Sequence, residues 1–184
     1  MNNKTKALCE AAVMVALAQI LGFLSLGRLP SGGSINIAML PLVFFAVRYG
    51  VGWGALAGCI SGVLNYVLGN GIAIDWTTII CDYVLAFALL GAGAGLFRGF
   101  KKGAFWGTLA GGSLQFLSSY LVGVFVWGKW MPDMFWGMEM TSPWLYSFLY
   151  NISWAGPDIL LTLVVFALLY QVKPLRRYLL AEDL

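Results

Sequence analysis

Residues 77–97 read TTIICDYVLAFALLGAGAGLF, a run dominated by apolar residues in which Asp82 is the one charge. About 20 such residues cross the hydrocarbon core of a bilayer as a helix, so the stretch reads as a membrane span. A carboxylate at that depth costs at least about 2.5–3.5 kcal/mol on insertion scales. The run therefore sets the fold class, and its acid marks the first place to look for function.

Comparable runs fall at 7–27, 35–48, 51–70, 104–128 and 145–171. With 77–97 they predict an all-α, polytopic membrane protein of six transmembrane helices, one membrane-embedded domain over 1–184. Composition agrees: the 184 residues are 60% hydrophobic and 10% charged, with mean hydropathy +0.83, against roughly 45–50% apolar and about 25% charged for a soluble domain. The second run is short, preceded by Pro30, Gly32 and Gly33 and ended by Arg48-Tyr49-Gly50, and reads as a tilted or partly buried helix whose irregular approach is shielded by protein. Lys4 and Lys6 ahead of an apolar stretch imitate a signal peptide, but the run continues to about Leu26 and reads as an uncleaved first helix.

With the N-terminus inside, Lys4, Lys6, Arg48, Arg98, Lys101, Lys102, Lys173, Arg176 and Arg177 fall on the cytoplasmic side and only Arg28 and Lys129 outside, nine against two of the 11 basic residues. That positive-inside bias predicts a multi-pass membrane protein with both termini cytoplasmic. The +3 net charge is scattered over membrane edges and forms no face suited to nucleic acid. Cys9, Cys59 and Cys81 make no CxxC pair and predict neither disulfide nor metal site. Histidine is absent, which removes the usual general base near neutral pH. The segment Gly99-Phe100-Lys101-Lys102-Gly103 lacks the spacing and hydroxyl of a P-loop, so no ATP hydrolysis is expected on this chain.

Small residues recur every four positions in Gly50, Gly54, Gly58 and Gly62 and in Gly107 and Gly111, which reads as close helix packing. Ala12 and Ala16 have the same spacing on the first helix, for packing within the chain or for a flat face offered to another membrane subunit. Three acids lie within or at the ends of spans. Glu10 and Asp158 read as span-end residues explained by snorkelling or by pairing with a terminal Lys or Arg. Asp82, followed by Tyr83 and without a basic neighbour, reads as a ligand or ion contact. Trp76, Tyr83, Trp127, Trp130, Phe135, Trp136, Trp144 and Tyr146 gather on the outer side, more than an interfacial belt on both faces explains. Rings beside one buried carboxylate suit an organic cation. Asn151 adds an amide that serves either as helix glue or as a ligand contact.

Ordered through the chain stand Leu29-Pro30-Ser31-Gly32-Gly33-Ser34, Leu40-Pro41, Arg48-Tyr49-Gly50, Gly69-Asn70, Asp82-Tyr83-Val84-Leu85-Ala86-Phe87, Gly123 to Trp127, and Trp144-Leu145-Tyr146-Ser147-Phe148-Leu149-Tyr150-Asn151. In these segments the sequence resembles the thiamine-specific S-components, the substrate-binding subunits of energy-coupling factor (ECF) transporters. The resemblance implies a six-helix S-component fold that binds thiamine with high affinity from outside and docks on a coupling membrane protein and two ATPase subunits, which would hydrolyse the ATP. It implies a bacterial cell membrane as the location and no cofactor. It carries vitamin contacts onto Asp82, Tyr83, Gly123, Trp127, Tyr146 and Asn151, with Ser119 as a further substrate-binding candidate, and coupling-protein contacts onto Ala12 and Ala16. Two positions depart from the family, Ser119 where members carry a fifth-helix His and Gln115 where they carry a basic residue one turn earlier. That departure implies weaker binding of phosphorylated thiamine, or a related pyrimidine or thiazole as ligand; the retained acid and aromatics keep thiamine first. The rivals are an S-component for another vitamin or precursor, an intramembrane enzyme, for which a catalytic pair is lacking, and a purely structural membrane subunit.

Overall fold

The structure, a computed structural model, describes residues 3–175; Arg176 and Arg177, counted above on the cytoplasmic side, lie outside the described residues. The chain runs through α1 (Asn3–Phe23), a hairpin of β1 (Gly27–Arg28) and β2 (Ser34–Ile35), α2 (Met39–Tyr49) and α3 (Val51–Val67). Next, α4 (Trp76–Thr78) continues through a π-helical stretch, Ile79–Leu85, into α5 (Ala86–Gly95). Helix α6 (Gly103–Phe125), a 3-10 turn (Trp127–Trp130), a hairpin of β3 (Met134–Phe135) and β4 (Met138–Glu139), and α7 (Pro143–Leu169) complete the order.

All six apolar runs become helical. The described residues hold seven α-helices, and Trp76–Gly95 is a single rod made of α4, the π-helical stretch and α5. Among the described residues, four helices are long and apolar enough to cross a membrane by length and composition: Lys4–Phe23, Trp76–Gly95, Gly103–Phe125 and Pro143–Leu169. At 1.5 Å per residue, the 11 residues of α2 and 17 of α3 rise about 16 and 25 Å, short of the roughly 30 Å core.

The short α2 sits in the centre. All of its residues but Leu40 are buried, as befits a helix that is hydrophobic all round. Its last turn carries Arg48, 0% exposed, whose Nε lies 3.3 Å from Glu10 Oε2 on α1. The acid expected to snorkel or pair at a span end thus pairs with the end of α2. Around this core the outer faces of the long helices keep Leu8, Val13, Leu17, Ile20, Leu117, Leu121, Leu160 and Val164 exposed, the pattern of a surface solvated by lipid.

Glycine sets the closest approach. A Cβ on Gly54, Gly58 or Gly62 of α3 would fall on the carbonyl oxygens of Gly91, Phe87 and Tyr83 of the rod, and one on Gly111 of α6 would fall on that of Leu90. These helices therefore meet backbone to backbone. Gly50 stands apart from the series: it joins α2 to α3 at φ +90°, a conformation that favours glycine. Local signals fix the ends. Asp75 accepts from the Thr78 amide in a capping box that starts the rod, Ser142 accepts from the Leu145 amide with Pro143 in the first turn of α7, and Trp136-Gly137, with φ 52° and 76°, close the β3–β4 hairpin as a two-residue turn requires.

The glycine contact has a direct test. Gly58→Ala must push α3 off the Phe87 carbonyl and should lower stability by about 1–3 kcal/mol, the cost of overpacking. Gly52→Ala, on an exposed face with nothing within 4 Å of the added Cβ, should not. The thermal midpoint of each variant in detergent distinguishes the two.

Candidate functional site

A cavity of about 200 Å³ opens between the rod, α6 and α7 under the β1–β2 segment. A single water needs on the order of 10–15 Å³ of such space, so the cavity is sized for an organic molecule and not for one ion. Its wall includes Asp82, Tyr83, Ser119, Gly123, Trp127, Tyr146 and Asn151, and the structure thus brings all seven residues singled out above to one place.

Asp82 and Tyr83 stand on the π-helical stretch, whose wider turn rearranges the helical hydrogen bonds. Ser118 of α6 takes up one of them by donating from its hydroxyl to the Cys81 carbonyl at 3.0 Å. Asp82 Oδ2 accepts from the Trp127 indole Nε1 at 3.1 Å, and the Ser119 side chain also hydrogen-bonds the carboxylate. The acid is thus aimed by two neutral donors, and among the described residues no lysine or arginine lines the wall against it. Tyr83 is 9% exposed; its ring stacks obliquely on Tyr66 at 5.5 Å between centroids and its hydroxyl donates to the Ile72 carbonyl at 2.7 Å. It offers the cavity a ring and uses its hydroxyl to hold the loop before the rod.

Gly123 faces α7, where a Cβ would fall on the Ser147 hydroxyl; its absent side chain is what lets α6 and α7 close behind the cavity. Asn151 Nδ2 donates to the Ser147 carbonyl at 2.9 Å, and its Oδ1 accepts from the Trp154 indole at 3.2 Å. Both bonds lie within α7, and the same amide donates to the Ser119 carbonyl of α6 at 3.5 Å while its residue lines the cavity. Tyr146 meets Phe135 edge to face at 5.5 Å and Tyr150 at 5.8 Å. The outer-side aromatics divide: Trp130 also lines the cavity, whereas Trp76, Trp136 and Trp144 lie outside its wall and are exposed, as belt residues are.

Asp158 requires a correction. Expected near a span end, it lies mid-way along α7, is 6% exposed, lines the cavity and accepts from the Asn36 amide through Oδ1 at 2.8 Å. Tyr150 and Trp154 were also missed as site residues. The Tyr150 hydroxyl accepts from the Gly33 amide at 2.8 Å, and a Cβ on Gly33 would crowd Trp154. Together these side chains of α7 hold residues 31–36 across the cavity, while Arg28 donates to Asn70 Oδ1 at 3.0 Å from the adjoining strand. A signal existed: Tyr146, Tyr150, Trp154 and Asp158 recur every four residues and so share one helix face.

Ala12 and Ala16 lie on the exposed side of α1, whereas Ala7, Val15 and Ala18 of that helix are buried. The alanine pair therefore does not serve packing within this chain. Gln115 and Ser119 both face the cavity from α6.

Comparison with known proteins follows the same line. The chain is similar to the thiamine transporter ThiT of Bacillus subtilis (strain 168), 28% identical over 181 residues that cover 91% of each chain. It is likewise 28% identical over 180 residues to thiamine transporter ThiT of Lacticaseibacillus paracasei, covering 90% of this chain and 87% of the relative. A solved structure of ThiT from Listeria monocytogenes shares the fold, with a TM-score of 0.82 at 24% identity over 95% of this chain and 99% of that one. The family described as thiamine transporter protein (Thia_YuaJ) matches residues 8–177, and the chain belongs to that family.

Proposed function

We propose that this protein is the thiamine-capturing subunit of an ECF-type importer, binding the vitamin with high affinity from outside. The bound vitamin is then delivered through a coupling membrane protein driven by two ATPase subunits. The observation that carries the reading is Asp82, a buried carboxylate in an aromatic-walled cavity, oriented by the neutral donors Trp127 and Ser119. Thiamine is an organic cation with two aromatic rings. Ring faces from Trp127, Tyr83 and Tyr146 attract such a cation and stack on its rings, while the carboxylate balances charge or accepts from an amino group. Membership of the thiamine transporter family supports the same ligand. The segment over residues 31–36 would exclude water once the ligand is seated, which strengthens every polar contact inside.

The coupling step is supported by the exposed Ala12 and Ala16, whose small side chains let another membrane helix approach α1 closely. The basic residues Arg48, Arg98, Lys101 and Lys102 favour the end of the molecule away from the cavity as the cytoplasmic one, with the cavity facing outward.

Two experiments test this. Calorimetric titration in detergent should show Asp82→Asn losing about 1.5–3 kcal/mol of thiamine binding, roughly 10- to 150-fold in Kd, as expected for a hydrogen bond to a charged group; an unchanged Kd would remove Asp82 from the site. Replacing Ala12 and Ala16 together by Leu should leave thiamine binding intact and abolish co-purification with the coupling protein and ATPases. Retained co-purification would move the docking face elsewhere.

A further inference from the structure

Charge is divided unevenly between the two ends of the molecule. The cavity end carries Arg28 and Lys129 together with three exposed acids, Asp75, Asp133 and Glu139. At the opposite end Arg98, Lys101, Lys102 and Lys173 are exposed, and among the described residues the one acid there is Glu10, which is paired with Arg48.

Three of these cations stand on an ordered platform. Residues 96–102, which join α5 to α6, fold as successive turns: the Arg98 amide donates to the Gly95 carbonyl at 3.3 Å, Phe100 to Phe97 at 3.2 Å and Gly103 to Phe100 at 2.9 Å. The Phe105 ring stacks on Tyr170 at 5.2 Å, which brings the end of α7, and with it Lys173, beside the start of α6. From there α6 turns an apolar row outward. Trp106, Leu109, Leu117 and Leu121 are exposed and, with Ser113, recur every three or four residues, so they share one helix face. Trp106 is one turn from Lys102, whose carbonyl accepts from the Trp106 amide at 3.2 Å. The cations thus stand at the foot of an open apolar strip.

We propose that this strip and its basic foot form a seat for an acidic glycerophospholipid, its anionic headgroup against Arg98, Lys101 and Lys102 and an acyl chain along the row from Trp106 to Leu121. Lipid covers an exposed apolar row of a spanning helix in any case, and the charge at its foot decides which headgroup is held. A headgroup of net negative charge gains roughly fivefold in association for each basic residue near the surface, whereas a zwitterionic one also brings its own cation against the lysines. Lysine stems can follow hydrocarbon while the ammonium stays among headgroups, and an indole settles at the same level. Because the turns already fix the platform, little further ordering of the backbone opposes binding. The cavity end, with its exposed acids, offers no such match. The inference is independent of which ligand the cavity takes.

The test reconstitutes the full chain in phosphatidylcholine vesicles that carry a minor fraction of brominated-chain lipid, either phosphatidylglycerol or phosphatidylcholine. Bromine quenches a tryptophan that it touches, and Trp106→Phe in parallel isolates the Trp106 signal. The expected result is a relative association at Trp106 that favours phosphatidylglycerol by about tenfold or more and weakens as salt is raised. Lys101→Gln combined with Lys102→Gln should bring that ratio within about threefold and leave the thermal midpoint unchanged. Equal quenching by the two lipids in the unaltered protein would overturn the proposal, as would a preference that the double variant keeps. A preference abolished by soluble glycerol phosphate at the concentration of the brominated lipid would assign the cations to a phosphate group alone and overturn the lipid seat. Loss of ATPase co-purification in the double variant, with no lipid preference in the unaltered protein, would make the patch a protein-docking surface instead. Should the double variant not fold, the salt series decides, and a preference that salt leaves unmoved overturns the proposal.

Discussion

Backbone contact between α3 and the Trp76–Gly95 rod determines where Asp82 stands. Gly54, Gly58 and Gly62 leave no side chain between α3 and the carbonyls of Gly91, Phe87 and Tyr83, so the rod is clamped along the length that carries the acid. On its other side, Gly111 brings α6 equally close to Leu90. Clamped from two sides, the π-helical stretch holds Asp82 and Tyr83 in register with Ser118, Ser119 and Trp127 across the gap. Close helix packing and ligand geometry are therefore one constraint: residues that look like packing glycines aim the carboxylate.

A second demand follows from the solvent. Within a bilayer, unpartnered polar groups cost several kcal/mol, and the polar side chains of this protein mostly answer one another. Gln19 of α1 donates to the Ser61 hydroxyl of α3 at 2.8 Å, Thr108 to the Ala104 carbonyl at 2.7 Å, and Ser147 to the Tyr120 carbonyl at 2.7 Å. The buried Arg48 faces Glu10. Against that background the cavity is where polar groups and ring faces converge on open space, which is what separates a binding site from helix glue. Tyr150, Trp154 and Asp158 belong to both categories, since they line the cavity and also anchor the segment that covers it.

Much of this was legible in the sequence. Apolar runs located every long helix because a spanning helix must be continuously apolar, and the acid at Asp82 stood out because nothing nearby in sequence could neutralise it. The ordered segments around Asp82-Tyr83 and Tyr146–Asn151 pointed to the family. What stayed hidden depends on three-dimensional pairing. The shortness of its run marked α2 as partly buried, but that the other helices pack around it on every side was not visible in hydropathy. The role of Asp158 depends on Asn36, far away in the chain, and hydropathy near the acid gives no hint of it. The same holds for Asn151, whose amide also donates to the Ser119 carbonyl of α6 at 3.5 Å. By contrast, the four-residue stripe from Tyr146 to Asp158 was present in the sequence and would have exposed the α7 face of the site.

An organic cation seated in this cavity would lie against Trp127 and Asp82, and tryptophan fluorescence reads that contact directly. Titrating the detergent-purified protein with thiamine should give saturable quenching at nanomolar ligand with one molecule bound per chain, because a ring seated beside Trp127 alters both its stacking and its hydrogen bond to Asp82. No fluorescence change on adding thiamine to protein verified as folded would contradict the account and assign the cavity to a different ligand.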